Sequence, residues 1–155
     1  IDIHEHVQPT VAVWVNLARS QKARFCTDLR AQRSLCLLNL HYFQEILSIL
    51  IVNSLQSHAR TIRISTFNDT DLEAPSGNFI RDAFCMDVAD DGVGVHELEN
   101  PQVIFDREYT TKADKLGSGL GLFIARTLAR RSDGDLDIVP SRGRGATFRL
   151  TIGIS

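Results

Sequence analysis

Between Asn39 and about His58 the chain carries a helical repeat that is apolar around most of its girth, and this segment limits the folds open to it. Phe43, Ile46, Leu47, Leu50 and Ser54 recur on one face, with Ile49, Val52 and Leu55 beside them. A helix with so little polar surface has to be covered on several sides, so the pattern predicts a central, buried helix. It does not predict a membrane span. Asn39, His41, Gln44, Glu45 and Asn53 interrupt the stretch from Cys36 to Leu55, which lacks the roughly 18 uninterrupted apolar residues that crossing requires.

The flanking segments supply the cover. Residues 1–20 read as a short strand and then a helix, with Val11, Trp14, Val15 and Ala18 at helical spacing. Arg24–Leu29, and more briefly Leu35–Leu38, read as strands. Thr61–Phe67 alternates, with Ile62 and Ile64 on one face. Asn68–Asn78 is rich in turn formers and reads as a loop, and Ile80–Ala89 alternates again through Phe84, Met86 and Val88. Residues 90–118 show little periodicity, as functional or mobile segments often do. Leu120–Arg131 is an amphipathic helix, with Leu120, Phe123, Ile124, Thr127 and Leu128 inward and Arg126, Arg130 and Arg131 outward. A hairpin closes the chain: Asp135–Val139, a turn at Ser141–Gly145, and Ala146–Ile154. Helices and antiparallel strands in blocks predict an α+β two-layer sandwich, a mixed and mostly antiparallel sheet covered by helices on one face. The 155 residues fit one domain, 1–155.

Charge and cysteine usage exclude some classes. A net charge of −2 with no basic stripe gives no footprint for nucleic acid. Cys26, Cys36 and Cys85 are odd in number and set in apolar stretches, which reads as thiols in a reducing compartment rather than a disulfide or metal site. The chain opens at Ile1 with no Met and no signal peptide, and is expected to be a piece of a longer protein.

Three features carry chemistry. Asp90-Asp91-Gly92-Val93-Gly94 follows a strand directly. Its glycines permit a tight turn and close approach of a ligand, and a strand-end carboxylate can accept from an exocyclic amine such as that of adenine. A plain Asp-Gly turn is the alternative. Gly117-Ser118-Gly119-Leu120-Gly121-Leu122 runs into a helix, where freed N–H groups and the positive helix end receive phosphate. It matches neither the lysine-bearing P-loop nor the dinucleotide fingerprint. Asn53 puts an amide into an apolar helix, where it needs a partner. A hydrated Mg²⁺ shared with nucleotide phosphates is one answer, and a backbone-bonded helix-end amide is the other.

The order of these features resembles the Bergerat ATP-binding fold of the GHKL superfamily, and within it the catalytic domain of histidine kinases. Phe43–Ser57 is similar to the N-box, Asp87–Val95 to the first glycine box and Ile104–Lys112 to the F-box with its Thr-Thr-Lys ending. Gly117–Leu122 matches the second glycine box, and Gly143–Phe148 (GRGATF) resembles the closing Gly-x-Gly-Thr-Thr-Phe segment. Together they span most of residues 43–152.

The resemblance implies ATP and Mg²⁺ as cofactors. Asn53 would bind the metal. Asp90 would accept from the adenine amino group, with Gly92 and Gly94 shaping that wall and Thr147 supporting the pocket. Residues 95–116 would form a lid, with Thr111 and Lys112 beside the phosphates. Gly117, Ser118, Gly119, Leu120, Gly121 and Leu122 would cradle the triphosphate. Asn53 and Lys112 would carry the catalytic roles, since phosphoryl transfer is mostly positioning and charge neutralisation. The implied partners are a phosphoacceptor helical hairpin of the parent kinase and, downstream, a response regulator. The implied parent is a homodimer, with this domain in the cytoplasm and an anchor available in the bacterial inner membrane.

Some positions depart from the family. Ile49 stands one turn before Asn53, where the family has a polar residue, and a branched apolar side chain cannot polarise water or act as a base. The gyrase-like ATPases need a glutamate there. In the F-box, Glu108 replaces an aromatic and Arg107 a common proline. A degenerate nucleotide-binding regulatory module without kinase activity is therefore the alternative function. His4-Glu5-His6-Val7-Gln8-Pro9 fits a phosphoacceptor pattern, but the chain between His4 and Asn53 has no room for the two long helices of an acceptor hairpin.

Overall fold

The computed structural model describes residues 1–94, 101–106, 121–140 and 144–154. The elements run α1 (Ile3–Ala12), α2 (Val15–Ser20), β1 (Arg24–Leu29), α3 (Leu40–Gln56), β2 (Thr61–Glu73), β3 (Phe79–Asp90), a 3₁₀ turn (Pro101–Phe105), α4 (Gly121–Arg130), β4 (Gly134–Val139) and β5 (Ala146–Gly153). The strands make one sheet in the order β1-β2-β3-β5-β4. Among the described residues only β1 and β2 pair in parallel. This is the two-layer α+β sandwich the sequence predicts.

α3 is the centre of the fold. Asn39 caps it, its side-chain oxygen accepting from the His41 and Tyr42 amides at 2.7 and 3.3 Å, as N-cap asparagines do. Phe43, Ile46, Leu47, Leu50, Ile51, Ser54 and Leu55 are buried along it. They share one core with Ile3, Val7 and Val11 of α1, Ala125, Leu128 and Ala129 of α4, and the inward residues of the sheet. Those inward residues follow the period of two: Ile62 and Ile64 on β2, Phe84, Met86 and Val88 on β3, and Phe148, Leu150 and Ile152 on β5. Each fully buried Leu, Ile or Phe contributes about 1.5–3 kcal/mol, so this core is the main source of stability.

Four expectations are corrected. The chain opens with a helix rather than a strand, because Asp2 accepts the His4 amide at 3.1 Å and caps α1. All that remains of the expected strands at both places is an isolated bridge, Asp2 to Leu35. The segment 68–78 is not all loop: β2 continues to Glu73 and only the tip turns. Its polar residues are tolerated because this end of the hairpin is exposed, and Asn68 works as a tie rather than a turn former. It accepts from the Gln32 and Arg33 amides at 2.9 and 3.0 Å and donates to the Arg33 and Ala83 carbonyls. Finally, α4 turns Arg126 inward while Phe123 is 39 % exposed. β4 is an edge strand beside α4, and its Leu136 carbonyl and the Asp135 and Asp137 carboxylates draw the guanidinium in.

The three thiols are free, with Cys36 and Cys85 buried and Cys26 half-buried. Burial pushes both Cys36 and Cys85 up to about 11, so they stay protonated and inert near neutral pH.

Candidate nucleotide-binding site

Asp90 is the last residue of β3, paired with Ile62 of β2 on one side and Ala146 of β5 on the other. Asp90 is 9 % exposed, and its carboxylate turns toward α3. The Ser54 hydroxyl donates to Oδ2 at 2.8 Å, and the Gly92 amide donates to Oδ1 at 2.9 Å. A strand end, a buried helix and the turn after the strand thus fix one carboxylate by both oxygens.

The turn itself is bolted to the end of α3. The Val93 amide donates to the Ser57 carbonyl at 3.0 Å, and a Cβ on Gly92 would run into that same oxygen. Gly145, at φ +104°, opens β5 in a conformation that favours glycine, and a Cβ there would strike the Asp90 carbonyl. Gly94 backs onto Gly145 in turn. The first glycine box and the closing segment, far apart in sequence, therefore form one wall behind Asp90.

Asp91 has a different task. Its Oδ1 accepts the Arg60 and Thr61 amides at 2.8 and 3.0 Å, fastening the start of β2 to the turn. The Thr61 bond foremost holds this carboxyl below its ordinary value; burial opposes it, and the Arg60 bond adds to the lowering. A depressed carboxyl stabilises the fold above its unfolded value of about 4, and the contribution fades as pH falls through the folded value. Asp91→Asn is therefore expected to flatten the acid limb of stability below about pH 4. Urea unfolding from neutral pH down to acid checks this; an unchanged limb would contradict the assignment.

Asn53 is half-buried on α3, next to Ser54. One turn earlier, Ile49 lies against the start of α4: its Cγ2 would be 3.3 Å from a Cβ on Gly121. Gly121 and Leu122 begin α4, Leu122 packing half-buried on the core. The structure thus brings Asp90, Gly92, Gly94, the Asn53 helix and the Gly121 end of the second glycine box around one region. Thr147 does not join them. It pairs with Ala89, one residue out of step with Asp90, so its side chain points to the opposite face of the sheet. The residue beside Asp90 is Ala146. Thr111, Lys112, Gly117, Ser118, Gly119 and Leu120 lie outside the described residues.

Sequence reasoning missed two sets of residues. Ser54 was counted only as filler on the apolar face; its signal was a small hydroxyl on the most buried stripe of a helix. The second set holds the 3₁₀ turn. Arg126 sits 3.7 Å over the Phe105 ring and donates to the Leu136 carbonyl at 2.8 Å and to Gln102 Oε1 at 2.7 Å. Phe105 meets Phe148 edge-on.

The fold is a two-layer sandwich with a strand-end carboxylate walled by glycines and facing a helix that carries an amide. The sequence model of the family described as "Histidine kinase-, DNA gyrase B-, and HSP90-like ATPase" matches residues 40–155. The chain belongs to this family, and ATP is the ligand that membership implies. Among curated relatives, it is 30% identical over 161 residues to the sensor protein EvgS of Escherichia coli K12, covering 99% of this chain and 13% of EvgS. It is 25% identical over 157 residues to the histidine-protein kinase AtoS of the same organism, covering 100% of this chain and 24% of AtoS. The chain therefore spans a quarter or less of these relatives. The catalytic domain of histidine kinase ThkA superposes with a TM-score of 0.76 at 18% identity, covering 99% of this chain and 93% of that one. Full-length ShkA in complex with AMPPNP gives 0.74 at 20% identity, covering 98% of this chain and 30% of ShkA. At these identities the likeness is one of fold.

Proposed function

We propose that this chain is the catalytic domain of a two-component sensor histidine kinase. The observation that carries the reading is the Asp90 carboxylate, fixed by Ser54 and Gly92 at a wall of glycines and ready to accept from an adenine amine. The relatives matched over the whole chain are sensor proteins and histidine-protein kinases, which supports it. Phosphoryl transfer would break the bond between the γ-phosphorus and its bridging oxygen and form a bond to a ring nitrogen of histidine on a separate helical hairpin of the parent. ADP leaves, and a response-regulator aspartate is the next acceptor. The parent works as a homodimer with this domain in the cytoplasm, anchored in the inner membrane by other segments. No helix among the described residues is long and apolar enough to cross a membrane.

Mg²⁺ fits the donor set. Among the described residues no group of three or more His, Cys, Asp or Glu could cage a metal. An ion here would be held by the Asn53 amide oxygen together with phosphates and water, the mixed oxygen shell that Mg²⁺ favours. The ion would neutralise phosphate charge. Thr111, Lys112 and the glycines from Gly117 onward would add contacts to the phosphates. Asn53→Ala is expected to weaken ATP binding about tenfold in Mg²⁺ and hardly at all in EDTA. Titration calorimetry in both buffers checks it; equal losses would mark Asn53 as a structural amide.

Ile49 favours a second reading. It places a methyl against Gly121 one turn from Asn53, where the family has a polar group. A domain built so would hold nucleotide as a regulatory module without kinase activity. One experiment separates the two: this domain with labelled ATP and a separately expressed histidine-bearing hairpin of the parent. Labelled histidine supports the kinase, whereas tight ATP binding with no transfer supports the module.

A further inference from the structure

We infer that Ser54 is the residue that makes this site choose adenine, acting through Asp90. The inference rests on the reading of Asp90 as the base-binding carboxylate and goes beyond it to what sets that carboxylate's hydrogen-bonding direction.

A carboxyl group can play two parts toward a purine. With both oxygens accepting, it pairs with an exocyclic amine. With a proton on one oxygen, it donates and can pair with an exocyclic oxo group instead. In this chain each oxygen has an assigned donor. The Gly92 amide is an obligate donor and commits Oδ1 to accepting. The Ser54 hydroxyl donates to Oδ2 from a side chain that is 0 % exposed. A proton on Oδ2 would meet the hydroxyl proton head-on. As long as Ser54 donates, Asp90 presents acceptors only, and the partner at position 6 of the purine must be an amine.

The β5 residue paired with Asp90 brings no hydroxyl. The residue paired with Asp90 on β5 is Ala146, the first threonine position of the Gly-x-Gly-Thr-Thr-Phe pattern, and the only hydroxyl of that segment, on Thr147, faces the other side of the sheet. The hydroxyl that orients Asp90 comes from the helix.

The test compares ATP with ITP, which replaces the 6-amine by an oxo group, on the intact chain by titration calorimetry. Wild type is expected to prefer ATP about a hundredfold or more, as sites built around a substrate N–H do. Ser54→Ala is expected to lower ATP affinity about tenfold while ITP affinity holds or rises, narrowing the ratio at least tenfold. Ser54→Cys, of nearly the same volume with a weak donor, should narrow it similarly, so the result does not depend on the smaller side chain folding well. In Ser54→Ala/Ala146→Ser a hydroxyl returns on the strand side of Asp90 and is expected to restore the preference. An equal loss for both nucleotides, leaving the ratio at the wild-type value in the Ala and Cys variants, overturns the inference and makes Ser54 a packing residue. Wild type that binds neither nucleotide sinks the reading of the site itself, and this inference with it.

Discussion

Asp90→Ala is expected to abolish ATP binding while the domain stays folded. The substitution removes a hydrogen bond between a charged acceptor and the adenine amine, worth about 1.5–3 kcal/mol. It also strips the acceptor from the Ser54 hydroxyl and the Gly92 amide, both buried. Orphaned buried donors cost about 1–3 kcal/mol each and let the turn at Gly92 drift from the position Ser57 and Gly145 give it. Since about 1.4 kcal/mol is tenfold in affinity, the loss should exceed a hundredfold. Asp90→Asn makes the sharper test. It keeps shape and one accepting oxygen for Gly92, but its NH₂ then faces the base amine, donor against donor, and the Ser54 hydroxyl has to turn from donor to acceptor. Affinity should fall nearly as far as in the alanine variant, with a smaller change in melting temperature. Calorimetry on both variants, with circular dichroism to establish folding, decides it. Near-native affinity in a folded Asp90→Asn protein would place adenine recognition elsewhere.

What could be read from the sequence followed the strength of local periodicity. α3 declared itself because an unbroken apolar repeat has one stable environment, and its observed span, Leu40–Gln56, lies within the expected one. Strand β5 was legible for the same reason, since its alternate residues pack on the core and the others do not, and β3 by its Phe84, Met86 and Val88, although its other face also buries Ala83 and Cys85 in a second cluster. Asn68 was misread because its role is tertiary: its side chain serves amides some 35 residues away, and no local pattern records that. Arg126 was misread because helical periodicity sends an arginine outward unless something unseen pulls it in. At the site, the glycine boxes and Asp90 stood out by composition. Ser54 and Ala146 did not: Ser54 acts through a contact with a strand 36 residues on, and Ala146 through strand register, where a shift of one residue moves Thr147 off the pocket face and puts alanine beside the carboxylate.

Arg126→Ala is expected to destabilise the domain by about 2–4 kcal/mol, the range for breaking a buried charged network. The guanidinium side chain is only 12 % exposed, and it joins three elements. It occupies the free carbonyl of Leu136 on edge strand β4, reaches Asp135 and Asp137 at 3.5 Å, accepts the company of Gln102, and lies over Phe105. Asp135 is 1 % exposed; without Arg126 it keeps Arg130 at 3.0 Å and the amides of Ser76 and Leu136, so the carboxylate itself survives the change. What loses its hold is the turn at Pro101–Phe105. Gln102 bridges Arg126 and Asp137, and Phe105 is clamped between the guanidinium and Phe148. Arg126→Lys separates charge from geometry. An ammonium can still sit over the ring, but it cannot bond Leu136, Gln102 and the aspartates from one rigid fork. It should recover less than half of the loss. Thermal unfolding of the three proteins measures the ranking, and hydrogen exchange at Gln102–Phe105 localises it: faster exchange there than in α3 is the expected signature of the turn detaching before the core opens. A lysine variant as stable as wild type would show that the charge alone, rather than the fork, holds the turn to β4.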